Sequence, residues 1–270
     1  MVDLAYIRKR RIRRIVAAVG ISCTATALVI GAIALLGQRA APLTVTLVNS
    51  GASLSLSTEK QGGDNRVYLV ADQVPGYVEY TEENLKYLPN ELDDEHTYSE
   101  FADNETGTLF FKYTFFVTNN GSSEADYDLT LKMSNPTRTA TNRFDLDSIL
   151  RVRFYENKVY EDESLNKHEY VTYAKRSATP HYEGEGEDKQ QVWTEHISDE
   201  HSEYAKEFLS SKVILKSEVK NLLPKEQIRY TFVFWLEGLD PECEGVPPVD
   251  SALILGVDVS AHEAEDSSNK

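Results

Sequence analysis

Thr108 to Met133 reads TLFFKYTFFVTNNGSSEADYDLTLKM, and it holds two alternating patterns separated by a turn cluster. Leu109, Phe111, Tyr113, Phe115 and Val117 recur at period two, and so do Ala125, Tyr127, Leu129, Leu131 and Met133. Asp126, Asp128, Thr130 and Lys132 fall on the opposite side of the second pattern. Side chains of a strand alternate between faces, so each pattern is a strand with one buried face. Asn119-Asn120-Gly121-Ser122 supplies residues that tolerate turn conformations. A hairpin is the expectation.

The same logic extends in both directions. Leu43–Leu47 and Ala52–Ser57 alternate around Asn49-Ser50-Gly51, which predicts a second hairpin over residues 43–57, and Arg66–Ala71 reads as a further strand. Ile149–Tyr155 (ILRVRFY) predicts a strand with Leu150, Val152 and Phe154 inward and Arg151 and Arg153 outward. Val213–Val219, Ile228–Leu236 (IRYTFVFWL) and Ala252–Ser260 complete the set, with a turn at Leu223-Pro224-Lys225-Glu226. Residues 75–107 read as an acidic excursion with a helical turn at Thr81–Leu88, and residues 156–190 as a polar, turn-rich stretch. Ser198–Leu209 predicts a helix, capped by Ser198, with Tyr204, Ala205, Phe208 and Leu209 on one face. The sum is an all-β chain: an antiparallel β-sandwich, of jelly-roll or immunoglobulin-like strand order, with one or two short helices.

The 270 residues carry a formal charge of −16, unevenly spread. Arg8, Lys9, Arg10, Arg11, Arg13 and Arg14 precede a run, residues 15–38, without a charged side chain. About twenty apolar residues of helix span a ~30 Å hydrocarbon core, and a basic block before it places the N-terminus in the cytoplasm. The expected organisation is a basic cytoplasmic stub at 1–14, a single transmembrane helix or uncleaved signal anchor at 15–38, an extracellular β-sandwich at 40–261 and a flexible tail at 262–270. The alternative is a cleaved signal, with Ala32-Ile33-Ala34 as its site. The rest of the chain is more acidic than the whole, which excludes nucleic acid as a partner. Cys23 lies inside the apolar run and Cys243 in the acidic DPECEG stretch, so the outer domain has one thiol and no disulfide is expected within it.

Chemistry-bearing motifs are few. His196 and His201 are five apart, a spacing that does not share a helical face as zinc-protease histidines do, and no nucleophile elbow, P-loop or dinucleotide fingerprint occurs. The chain reads as non-enzymatic and without a cofactor. Calcium is the one ion the carboxylates suggest, since it takes hard oxygens from acidic loops. Glu237, Asp240, Glu242 and Glu244 form one such cluster, and Glu91, Asp93, Asp94 and Glu95 another.

The order of these segments resembles a known pattern. An N-terminal membrane segment precedes LSLS, then FKYTFFVTNNGSSEADYDLTL, ILRVRFYENK, TYAK and finally LLPKEQIRYTFVFWLEGLDPEC. It is similar to uncharacterised membrane-anchored surface proteins of Gram-positive, Firmicute-type bacteria, and distantly similar to the TasA/camelysin group of biofilm-matrix proteins. The resemblance implies a jelly-roll-like β-sandwich in surface structure, adhesion or matrix assembly. Assembly would proceed by strand addition, with residues 43–57 as the candidate donor. A ligand-binding or sensory ectodomain acting with a membrane partner is the alternative expectation.

Overall fold

The computed structural model describes residues 43–49, 54–60, 65–71, 100–104, 107–134, 146–159, 170–177, 181–183, 186, 189–192, 205–238, 240 and 253–262. All of them belong to the compact unit Ala41–Lys270. Among the described residues no helix is long and apolar enough to cross a membrane. The apolar run 15–38, the helical turn at 81–88 and the tail beyond His262 lie outside them.

The fold is all-β, built on two mixed sheets. The five-stranded sheet has the order β12 (Val213–Leu222), β6 (Ala125–Ser134), β14 (Ile254–His262), β1 (Leu43–Asn49), β3 (Tyr68–Val70). The seven-stranded sheet has the order β11 (Lys206–Glu207), β8 (Tyr170–Ala174), β7 (Leu150–Lys158), β13 (Gln227–Leu236), β5 (Gly107–Asn119), β2 (Leu54–Ser57). The strand β4 (Glu100–Asn104) pairs with β5 as well, along Gly107–Lys112, while β2 takes Phe116–Asn119. A separate pair joins β9 (His181–Glu183) to β10 (Gln190–Val192), around the EGEGEDK stretch. One helical turn, α1 (Leu146–Ile149), leads into β7.

One apolar core lies between the two sheets, and the alternation identified most of it. Phe111, Tyr113, Phe115 and Val117 from β5 belong to it, with Tyr230, Phe232 and Phe234 from β13 and Val152 and Phe154 from β7. Tyr127, Leu129, Leu131 and Met133 from β6 face them, beside Val257 and Val259 from β14 and Leu43 and Val45 from β1. Rings stack across strands: Phe154–Phe232 at 5.1 Å, Phe115–Tyr230 at 5.4 Å and Phe111–Phe234 at 5.7 Å between centroids. Such cross-strand aromatic pairs add to the area they bury. The buried hydroxyls of Tyr127 and Tyr230 meet at 2.7 Å and tie one sheet to the other. Burial pushes both phenols well above their ordinary pKa, so each stays protonated and able to bond.

Three expectations about neighbours are corrected. The strands β5 and β6 do not form a hairpin: they lie in different sheets, and the chain between them is an arch. Sheets packed face to face lie ~10 Å apart, more than a tight hairpin turn spans. Asn119 holds the arch: its Nδ2 donates to the carbonyls of Ser123 and Leu222, each at 2.8 Å, and its Oδ1 accepts from Gly121 N–H at 2.8 Å. Its backbone also bonds to Lys225 and Glu226, in the turn that follows β12. The strands β1 and β2 likewise go to different sheets, so residues 43–57 are not a hairpin. The sheets are also not purely antiparallel, because β1 pairs parallel with β14 and β11 with β8. Parallel neighbours need a long crossover, and for β1 and β14 it is nearly the whole domain.

Two local assignments change as well. Residues 205–209 of the expected helix Ser198–Leu209 contain an edge strand and run into bends, and the rest of that segment lies outside the described residues. Phe208 N–H donates to Ala174 O at 2.9 Å, and Ser210 Oγ accepts from Lys212 and Val213 N–H. A serine turn offers the backbone partners that a helix would otherwise supply. The strand β8 arises within the polar 156–190 stretch and β4 within the acidic one, because β7 and β5 each have an edge to complete.

Replacing Asn119 by Ala removes three hydrogen bonds and leaves the Leu222 carbonyl without its side-chain donor. We expect a loss of about 2 kcal/mol, read as a lower urea midpoint at unchanged m-value. An unchanged midpoint would show that the arch does not depend on this side chain.

Candidate functional site

Arg151 and Arg153 were expected to face solvent, but both are buried. Every residue of β13 is buried, and β7 is buried from Leu150 to Tyr155. Strand register lays the outer face of the seven-stranded sheet out as a grid. Trp235, Val233, Thr231 and Arg229 on β13 sit opposite Arg151, Arg153, Tyr155 and Asn157 on β7. On the far side of β7, Arg151, Arg153 and Tyr155 oppose Ala174, Thr172 and Tyr170. Across β13, Val233, Thr231 and Arg229 oppose Lys112, Thr114 and Phe116 of β5. The layer therefore carries four cations that are 3–4% exposed: Lys112, Arg151, Arg153 and Arg229. In so acidic a chain this is a concentrated inversion of charge.

Each cation needs an account, since an uncompensated buried charge is costly. Arg151 has the direct one: its Nη2 donates to the carboxylate of Asp240, and both side chains are buried. Asp240 is placed by its own N–H, which donates to Glu237 O at 3.4 Å. Glu237 in turn is fixed by its N–H to Ile149 O at 2.8 Å and by Trp235 Nε1, which donates to its Oε2 at 3.1 Å. The WLEG-D segment is thus a lock over the β7–β13 pair.

Arg153 is held differently. Its guanidinium carbon lies 4.1 Å from the ring centre of Tyr170 and 5.7 Å from that of Trp235. Aromatic faces stabilise a desolvated cation electrostatically. It also bonds to Tyr155, whose phenol burial pushes up and the Arg153 charge draws partly back. Among the described residues its Nε and Nη1 have no hydrogen-bond partner, nor do Thr172 Oγ1 and Asn157 Nδ2. Thr114 and Thr231 hydroxyls satisfy one another at 2.9 Å.

Of the calcium candidates Glu237, Asp240, Glu242 and Glu244, Asp240 pairs with Arg151 and Glu237 accepts from Trp235 Nε1. Glu242, Glu244 and Cys243 lie outside the described residues, as do Glu91, Asp93, Asp94 and Glu95. Among the described residues no group of three or more His, Cys, Asp or Glu side chains could hold a metal ion. Of the histidines, His181 belongs to β9, and His262 ends β14 with its Nε2 3.2 Å from Asp128. Lys216 also reaches Asp128, at 2.7 Å. Burial raises that carboxyl, but the bonds from Lys216 and His262 outweigh burial and hold it below the usual carboxylate range.

No family of known proteins matches the chain. Neither does any curated protein or solved structure at a significant level.

Sequence reasoning placed Arg151 and Arg153 on the right face and gave that face the wrong environment. The signal lay in IRYTFVFWL, where apolar residues hold both parities. A near-continuous apolar strand is one buried on both sides. The cost of Arg151 gives a direct check. Asp240→Asn should destabilise the chain by about 3–5 kcal/mol by leaving the guanidinium uncompensated, whereas Arg151→Met with Asp240→Leu should recover most of it. Equal losses in the single and double variants, by urea denaturation, would show the pair to be uncoupled.

Proposed function

We propose that this chain is a non-catalytic, membrane-tethered surface protein whose β-sandwich bears load outside the cell, in surface structure, adhesion or assembly. The observation that carries the reading is the parallel pairing of the first described strand with the last. Six residue pairs run from Leu43↔Leu255 to Asn49↔Ser260, and β1 is flanked on its other side by β3. A pull toward the N-terminus on Leu43 and toward the C-terminus on His262 acts in opposite directions along adjacent parallel strands. All their hydrogen bonds resist together, in shear, instead of opening one by one. Tension borne by a tether at residues 15–38 would enter the domain at Leu43, a few residues later. The resemblance to Gram-positive surface proteins agrees with such a role.

Assembly by strand addition would use β3. The opposite outer strand, β12, presents Lys216, Glu218 and Lys220 to solvent, which oppose edge pairing. Near β3 the exposed residues include three apolar ones, Val48, Val67 and Val70, beside Asn65 and Arg66. The strand β1 is not available as a donor, since β14 and β3 already occupy both its edges.

External protease added to intact cells that make the full chain tests the placement. Residues beyond Arg39 should be lost while an epitope before Arg8 survives, and survival of the whole chain would contradict it. Load bearing has its own readout, because forced unfolding is set by the unfolding rate. Thr46→Pro removes a ladder hydrogen bond from β1 and should lower the force at which the termini pull the domain apart. Asn119→Ala should lower equilibrium stability with a smaller effect on that force. Equal effects of the two would remove the clamp from the account.

The alternative reading, a ligand-binding ectodomain, is favoured by one observation: the donors of Arg153, Thr172 and Asn157 left open among the described residues.

A further inference from the structure

We propose that the outer face of the seven-stranded sheet is a binding site for a carboxylate-bearing ligand, held by Arg153 and Thr172, with Asn157 as a further donor along β7. It rests on the alternative, ligand-binding reading. Arg153 and Thr172 are direct cross-strand neighbours, and Asn157 lies four residues along the same face of β7. All three side chains are at least nine-tenths buried, and the open atoms are guanidinium Nε and Nη1, a hydroxyl and an amide nitrogen. The guanidinium and amide nitrogens only donate and the hydroxyl can donate or accept, so what the cluster lacks is a charged acceptor.

The neighbouring strand position shows how this fold settles the same problem. Arg151 stands two residues before Arg153 on the same face, equally buried, and meets the carboxylate of Asp240. Among the described residues no acid meets Arg153: it bonds to the Tyr155 phenol, and its rings, Tyr170 and Trp235, stabilise the cation from their faces. Water can accept those N–H groups but brings no charge, and a buried guanidinium without a counter-charge costs several kcal/mol. The ligand is therefore an anion. A planar carboxylate carries one charge and two oxygens, which match one guanidinium and one hydroxyl. A phosphate carries more charge and more oxygens than these donors satisfy. The burial of the site has a kinetic corollary: a local opening precedes binding, so association is slower than for an open surface patch.

The test uses the full chain in detergent, with sodium acetate and sodium succinate as probes against phosphate and chloride at matched ionic strength. Calorimetric titration should show saturable binding of a carboxylate, and thermal unfolding should shift upward with its concentration. Arg153→Met replaces the cation by an apolar chain of similar length and should abolish both effects. Thr172→Val keeps the shape, loses the hydroxyl and should weaken binding by about tenfold, so the proposal stays testable if Arg153→Met fails to fold. Absence of any saturable signal overturns the site. So does an equal thermal shift in Arg153→Met, which would mark a general salt effect. Phosphate bound in preference to both carboxylates overturns the ligand class. The tethering and load-bearing reading survives all three of these results, because none of its tests involves this face.

Discussion

The central strand β13 is paired on both edges and buried on both faces. The strands β7 and β5 flank it over nearly its whole length, and each of its ten residues is buried. A strand in that position has no solvent face on which to place an error. Its even-numbered residues must fit the apolar core, and its odd-numbered ones must fit a polar layer of equal tightness. The aromatic stack on one side and the arginine layer on the other are two consequences of a single constraint. The arch at Asn119 carries β6 to the opposite sheet, and the second edge of β5 goes to β2 and β4.

The polar layer shows how charges are kept in such a place. Arg151 is neutralised by an acid delivered on the chain immediately after β13, and Trp235 and Glu237 fix where that acid arrives. Arg153 relies on aromatic faces and one phenol. Replacing such groups by apolar residues is often neutral or stabilising, so stability alone does not explain two adjacent buried arginines. A specific register between β7 and β13 is one use such residues can have, and the proposed ligand is another. The WLEG-D-PEC ending that suggested a surface-protein resemblance is thereby given a physical role up to Asp240.

What was legible in the sequence was the face of each residue; what was not was the neighbour of each strand. Alternation identified Phe111, Tyr113, Phe115, Tyr127, Leu129 and Leu131 as core, and they are. It carries no information about which sheet a strand joins, so two adjacent alternating runs with NNGS between them look like a hairpin whether they pair or arch. The parallel partnership of β1 and β14 is more distant still, joining the two ends of the domain. The helix expected at Ser198–Leu209 failed where described because Lys206 and Glu207 pair with the edge left by β8, a tertiary demand that local propensity does not contain. The buried arginines were placed on the correct side of β7, but nothing local to ILRVRFY distinguishes a solvent face from a covered one. That information sits in the neighbouring strand, IRYTFVFWL.

Amide hydrogen exchange on the folded chain, resolved to single residues, tests the central position of β13 most directly. Residues 228–236 should be the slowest to exchange, opening only with global unfolding, and β9 and β10 should exchange far sooner. Exchange across 228–236 as fast as in β9 and β10 would contradict the account, since a strand enclosed on both faces and both edges cannot open before the sheets around it.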